Sequence, residues 1–176
     1  MATWHLENNL GKKGLAGSKV IELGAGVGYV SLVAIALGAN EVAITDGNAA
    51  VVDIARRNAE LNFPGDLGRR IRAARLRWNT PDVDAFRGRA WDSILASDCT
   101  YRRASWGDLM QTIAALSGPR TRAILEVEPR SPDEVDGVLA AARRSGLAFR
   151  EEPLPVDRER DACGVLCSRL FTLWKP

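Results

Sequence analysis

The chain has 176 residues, 46% of them apolar, and a formal net charge of +2. That length and apolar content fit one domain with a real core and exclude a disordered chain. The near-neutral charge gives no general attraction for nucleic acid, and no run approaches the ~20 apolar residues that span a bilayer. The first ten residues, "MATWHLENNL", lack the basic-then-apolar pattern of a signal peptide, so a cytoplasmic or nuclear protein is expected. With His5 as the single histidine, a multi-histidine zinc site is excluded, and a Ser-His-Asp triad would have to draw on the N-terminus. The three cysteines, Cys99, Cys163 and Cys167, form no Cys-x-x-Cys pair and read as ordinary thiols.

In chain order, Val20 to Leu23 reads as a short buried strand, followed by glycines at 24, 26 and 28. Gly28 to Leu37 is apolar on nearly every side, which predicts a helix buried under other layers, stopped by Gly38. Glu41 to Thr45 is a second strand. Asn48 to Leu61 reads as a helix with Val51, Val52, Ile54, Ala55, Ala59 and Leu61 largely inward and Arg56, Arg57 and Glu60 outward; "NFPGD" ends it. Ile71 to Leu76 is a third strand, interrupted by arginines, and Trp91 to Ala96 a fourth. Arg103 to Leu116 carries Trp106, Leu109, Met110, Ile113 and Leu116 at helical spacing. Thr121 to Val127 is a fifth strand. Ser131 or Asp133 caps a helix from Glu134 to Ser145. Phe149 to Leu154 and Val165 to Trp174 close the pattern as a strand pair.

Alternation of strand and helix ending in a strand pair predicts a Rossmann-like α/β fold. Its open sheet is mostly parallel with an antiparallel C-terminal strand, and helices cover both faces. One domain over 1–176 is expected. It divides into an N-terminal segment (1–18), a ligand-binding core (19–128), and a C-terminal helix with its strand pair (129–176).

Glycines between a strand and a helix let a ligand approach bare backbone at the strand's C-terminal end. A dinucleotide fingerprint needs a glycine three places after Gly26. That place holds Tyr29, which is expected to crowd the helix–strand contact, and a P-loop lysine is absent. Asp46, at the end of the second strand, follows Gly26 by 20 positions. A carboxylate there accepts hydrogen bonds from ribose hydroxyls and repels a ribose phosphate. The expected ligand is therefore adenosine-like, with little negative charge on its other half.

At this point the residues resemble a family. "VIELGAGVGYVSLVA" is similar to the first motif of class I S-adenosylmethionine-dependent methyltransferases. "LGAGVG", "TDGN", "RWN" and "SDCTY" together resemble the branch that methylates lysines in non-histone proteins. "TDGN" and "SDC" are similar to the calmodulin-lysine methyltransferases. The resemblance covers roughly residues 4–128, and its more specific sign is the Asp-x-x-Tyr from Asp98 to Tyr101.

The resemblance implies S-adenosylmethionine as cofactor and a protein lysine as acceptor. It places the backbone of Gly24, Ala25 and Gly26 against the methionine part and Asp46 on the ribose. Trp78 would border the adenine, Ser97 would line the pocket near the sulfonium, and Trp4 would help close it. Asp98 and Tyr101 are implied at the methyl end as the catalytic pair. The family often has an acid before the tryptophan, where this chain has Arg77, and its members carry a longer segment before Trp4.

Read for structure alone, Asp46 and Asp98 are helix caps, Trp78 is packing, Tyr101 is a surface aromatic and Trp4 packs near the terminus. Arginines 69, 70, 72, 75 and 77 read either as a solvated edge or as a surface for an acidic partner protein. Transfer to a small-molecule amine, an inactive Rossmann-like binding module, and a nicotinamide-dependent oxidoreductase are the competing functions.

Overall fold

The computed structural model describes residues 15–66, 68–153 and 168–176. Among them, a seven-stranded sheet is built from β1 (Lys19–Leu23), β2 (Glu41–Asp46), β3 (Ile71–Arg75), β4 (Ser93–Ser97), β5 (Arg122–Val127), β6 (Ala148–Glu152) and β7 (Arg169–Trp174). The order across the sheet is β3-β2-β1-β4-β5-β7-β6, and β7 runs antiparallel to both of its neighbours. Helices α1 (Tyr29–Ala36), α2 (Ala49–Asn62), α3 (Trp106–Leu116) and α4 (Glu134–Arg144) join successive strands. No helix among the described residues is long and apolar enough to cross a membrane.

Strand periodicity of two splits the apolar side chains between the faces. Ile21, Leu23, Ile94, Ala96, Leu125 and Phe171 meet Trp106, Leu109, Met110, Ile113 and Val138 from α3 and α4 on one face. Val20, Val42, Ile44, Leu95 and Ile124 meet Ala34, Ile35, Ala55 and Ala59 from α1 and α2 on the other. The core thus lies in two layers, one on each side of the sheet.

The strand order reverses between β1 and β4. From β1 the chain winds outward through β2 and β3, whereas from β4 it winds the other way through β5. The loops leaving these two strands diverge and open a crevice at their C-terminal ends, which is where open α/β sheets bind ligands.

Several sequence expectations change here. Helix α1 is not buried all round: Ser31, Ala34 and Ile35 are buried, whereas Val30, Leu32 and Val33 are only half-buried. In α2 the inward stripe is Val52, Ala55 and Ala59. Ile54 and Leu61 are 46% and 80% exposed, because at about 100° per residue they fall nearly opposite that stripe. Tyr29 does not crowd the helix–strand contact, since its side chain is 65% exposed. The close approach is made by Gly28, where a Cβ would stand 3.4 Å from Ala55 and Ile44. A 3-10 turn at Pro81–Phe86, capped by Thr80, was not legible in the sequence.

Candidate active site

A cleft of about 480 Å³ opens at the switch point, lined by Gly24, Asp46, Trp78, Asp98 and Tyr101, by Cys99 of the "SDC" motif, and by residues that sequence patterns did not mark, Leu76, Arg102 and Ser105 among them. Gly47 and Asn48 of "TDGN", and Arg77, complete its wall.

The floor is the turn after β1. Gly24 takes φ +66°, and a Cβ there would lie 2.7 Å from the Cys99 sulfur and 3.1 Å from the Trp78 ring. Only glycine fits between these two neighbours at that backbone angle. The N–H of Ala25 donates to the Thr45 carbonyl at 2.8 Å, which ties the turn to the end of β2. Gly26 takes φ +55° and has open space on its side-chain side. Ala25 and Gly26 thus form the backbone shelf beside the cleft.

Asp46 organises this shelf. Its Oδ2 accepts from the Gly26 N–H at 3.1 Å and its Oδ1 from the Asn48 N–H at 2.8 Å. The cap of α2 is Asn48, whose side chain accepts from Ala50 N–H, so Asp46 does not serve as the helix cap. Each carboxylate oxygen has a second lone pair, so a fixed, two-point acceptor faces the cleft. That geometry suits a vicinal diol, and its charge opposes a phosphate.

Beneath the turn lies the buried carboxyl of Glu22, which accepts from the N–H of Ser31 at 2.8 Å and from the Ser31 hydroxyl. Burial pushes its pKa up to about 7; the two Ser31 bonds oppose the shift, and the charge of Asp46 adds to it. The folded chain therefore holds this proton more tightly than the unfolded one. The associated stability is complete below about pH 4.5 and is lost as pH rises to about 7, a loss of at most about 3 kcal/mol. In Glu22→Gln, urea midpoints between pH 5 and 8 are expected to lose this downward slope; an unchanged slope would remove Glu22 as its source.

A further side of the cleft is formed by the segment after β3. The Trp78 ring is half-buried against Gly24 and the core, and Asn79 is locked behind it. The Asn79 N–H donates to Thr112 Oγ1 at 2.8 Å and its side-chain amide to Asp108 at 2.9 Å, with φ at +53°. Arg77 stands where the family often has an acid. Its guanidinium donates twice to Asp82, at 2.8 and 3.1 Å, and those bonds hold the Asp82 carboxyl at a pKa of about 2.

The opposite wall follows β4. Ser97 is not part of the cleft lining: its hydroxyl donates to Glu126 on β5. Asp98 takes φ +50°, a left-handed conformation that aspartate tolerates better than most residues. It caps no helix, since Arg102 and Ser105 hold the cap positions that follow. Its carboxylate accepts from Arg130 at 2.8 Å, and the Arg130 guanidinium lies 5.8 Å from the centre of the Tyr101 ring. Cys99 is buried with its sulfur 3.1 Å from the Leu23 carbonyl; burial above all, then the neighbouring carboxylates, push its thiol pKa up, so it stays protonated. Trp4, Cys163 and Cys167 lie outside the described residues.

The arginine cluster turns largely inward on itself. Arg69 and Arg70 pair with Asp66, Arg75 donates to the Gly47 carbonyl, and Arg72 lies 5.0 Å from the centre of the Phe86 ring. These are the contacts of a solvated sheet edge.

A doubly wound sheet with a glycine turn, a strand-end acid and a cleft at the switch point defines a Rossmann-like nucleoside-cofactor protein. The chain belongs to the lysine methyltransferase family, whose model matches residues 1–138. It is 35% identical over 135 residues to calmodulin-lysine N-methyltransferase of Arabidopsis thaliana, covering 76% of this chain and 44% of that protein. It is 36% identical over 121 residues to protein N-lysine methyltransferase METTL21A of Danio rerio, covering 69% of this chain and 54% of that protein. The chain thus spans about half the length of the curated relatives it matches. Among solved structures it resembles the YcgJ protein of Bacillus subtilis, with a TM-score of 0.71, 16% identity and coverage of 97% and 98% of the two chains. Magnesium protoporphyrin IX methyltransferase of Synechocystis, with bound S-adenosylhomocysteine, aligns with a TM-score of 0.67, 17% identity and coverage of 99% and 80%. These two likenesses establish the fold.

Proposed function

We propose that the chain transfers a methyl group from S-adenosylmethionine to the side-chain amine of a lysine on a protein partner. One observation carries this reading: Asp46 and the glycine turn face Asp98 and Tyr101 across a single cleft. One wall is built to hold a nucleoside and the other to receive a cation. Family membership favours a lysine acceptor over a small-molecule amine.

The residues present fit the cofactor. Gly24 and Gly26 leave backbone bare at the strand end, Asp46 offers its two oxygens to a ribose, and Trp78 provides an apolar wall for a base. When bound, S-adenosylmethionine supplies an electrophilic methyl on a sulfonium leaving group. The chain's own task is positioning: the lysine nitrogen must lie about 3 Å from that carbon, in line, with water kept out.

The lysine amine would take up that methyl group, and its proton would leave to solvent. The amine must be neutral to attack, which at pH 7 costs roughly 4–5 kcal/mol from an ordinary lysine pKa. Partial desolvation in the cleft lowers that cost. Asp98 and the Tyr101 ring guide the ammonium in, by charge and by cation–π attraction. No general base is assigned, because a carboxylate held against the nitrogen would keep it protonated.

An acidic face on the partner protein forms part of the proposal. It is supported by Arg102 in the cleft wall, which has no ion-pair partner among the described residues. Incubation with methyl-labelled cofactor and a cell lysate, followed by mapping of the labelled residue, is expected to place label on a lysine ε-amine. Label in small molecules only, from a chain that binds S-adenosylhomocysteine, would shift the acceptor class.

A further inference from the structure

Arg130 lies just beyond β5, next to the buried Pro129, and contacts Asp98 and Tyr101 of the cleft wall. Its backbone N–H donates to Glu134 at 2.8 Å, and one guanidinium nitrogen donates to the Glu128 carbonyl at 3.2 Å. The other guanidinium nitrogen is 2.8 Å from Asp98 Oδ1, and the group stands 5.8 Å from the Tyr101 ring centre. A carboxylate beside an aromatic face is the pairing that attracts an alkylammonium. In this chain its own guanidinium already fills that position.

We propose that Arg130 determines which amines are accepted: it holds the Asp98–Tyr101 position against free small amines and yields it to a lysine delivered by a docked protein. This rests on the reading of the cleft as a lysine methyltransferase site. A guanidinium stays protonated at any working pH with its nitrogen lone pairs delocalised, so it is a much poorer nucleophile than a neutral amine and occupies the position without competing for the methyl group. The pair is open to solvent, with the Arg130 and Asp98 side chains 46% and 49% exposed, so the bond is weak enough to be exchanged.

What Arg130 has is tethering. Linked to an ordered backbone, it competes with a free amine as an intramolecular ligand at high effective concentration. A lysine on a docked partner shares that advantage, and a dissolved amine does not. Once displaced, the guanidinium remains near the carboxylates of Glu128 and Glu134, which already act on its charge. Arg102 also lies in the cleft wall, and the next residue, Arg103, is paired with Asp133.

The test is a titration of n-butylammonium chloride into protein saturated with S-adenosylhomocysteine, followed by NMR. Arg130→Gln is expected to bind the amine on the order of tenfold more tightly than the unaltered chain. Arg130→Lys, which keeps a tethered cation, is expected to behave like the unaltered chain, and adding Asp98→Asn to Arg130→Gln is expected to abolish the gain. No tightening in Arg130→Gln, or equal tightening in Arg130→Lys, would overturn the inference while leaving the cofactor reading intact. A chain that takes up no S-adenosylhomocysteine in the loading step would overturn the underlying reading, and the inference with it.

Discussion

Replacing Asp46 with alanine is expected to weaken S-adenosylhomocysteine binding by about 10²- to 10⁴-fold while the chain stays folded. The carboxylate offers two charge-assisted acceptors to a ribose diol, each contributing roughly 1.5–3 kcal/mol. It also fixes the Gly26 and Asn48 N–H groups, so its removal loosens the shelf on which the rest of the cofactor would lie. The N-cap of α2 survives, because Asn48 supplies it. Calorimetric titration of the variant, with a thermal melt alongside, separates lost binding from lost folding. Binding within about threefold of the unaltered chain would mean that Asp46 braces the glycine turn and does not hold a sugar.

Asp98→Asn is expected to lower turnover by about 10²-fold or more, with cofactor affinity nearly unchanged, as loss of an acceptor-positioning group implies. Asparagine is the informative replacement. It tolerates the positive φ observed at this position, as aspartate does, so a change in rate reports charge and not backbone strain. Single-turnover rates on the lysine identified by labelling, compared with binding of S-adenosylhomocysteine, provide the check. Parallel loss of both quantities would assign Asp98 a structural role.

The β1–β2 side of the cleft was legible in the sequence because its determinants are local. Gly24, Gly26 and Asp46 sit at strand ends within one β-α-β unit, and their spacing alone puts them together. Asp98 and Tyr101 were marked by a short motif, yet their partner Arg130 was not. It arrives from the next strand, 32 positions from Asp98, and only the packing of β5 beside β4 brings it within bonding distance. Leu76, Arg102 and Ser105 joined the wall for the same kind of reason: they belong to connecting segments whose course depends on tertiary contacts. Ser97 shows the reverse case. The family resemblance implied it in the cleft lining, but its hydroxyl finds Glu126 on the neighbouring strand.

The fold followed from periodicity where the periods were clean. In α3, Trp106, Leu109, Met110, Ile113 and Leu116 are all buried, as their spacing requires. The phase was misread in α2, where apolar and alanine positions are spread around the helix and Ile54 and Leu61 face out. The arginines after α2 read as a charged surface because sequence shows charge and not pairing. Asp66 and Asp82 account for three of them.

The central claim, that the crevice between β1 and β4 holds a methyl-donating nucleoside, is tested most directly by calorimetric titration of the folded chain with S-adenosylhomocysteine. Saturable uptake at one site per chain, weakened in Asp46→Ala and absent with NADH, is the expected result. A folded chain that releases no heat with S-adenosylhomocysteine or S-adenosylmethionine, or that takes up NADH in its place, would contradict the claim.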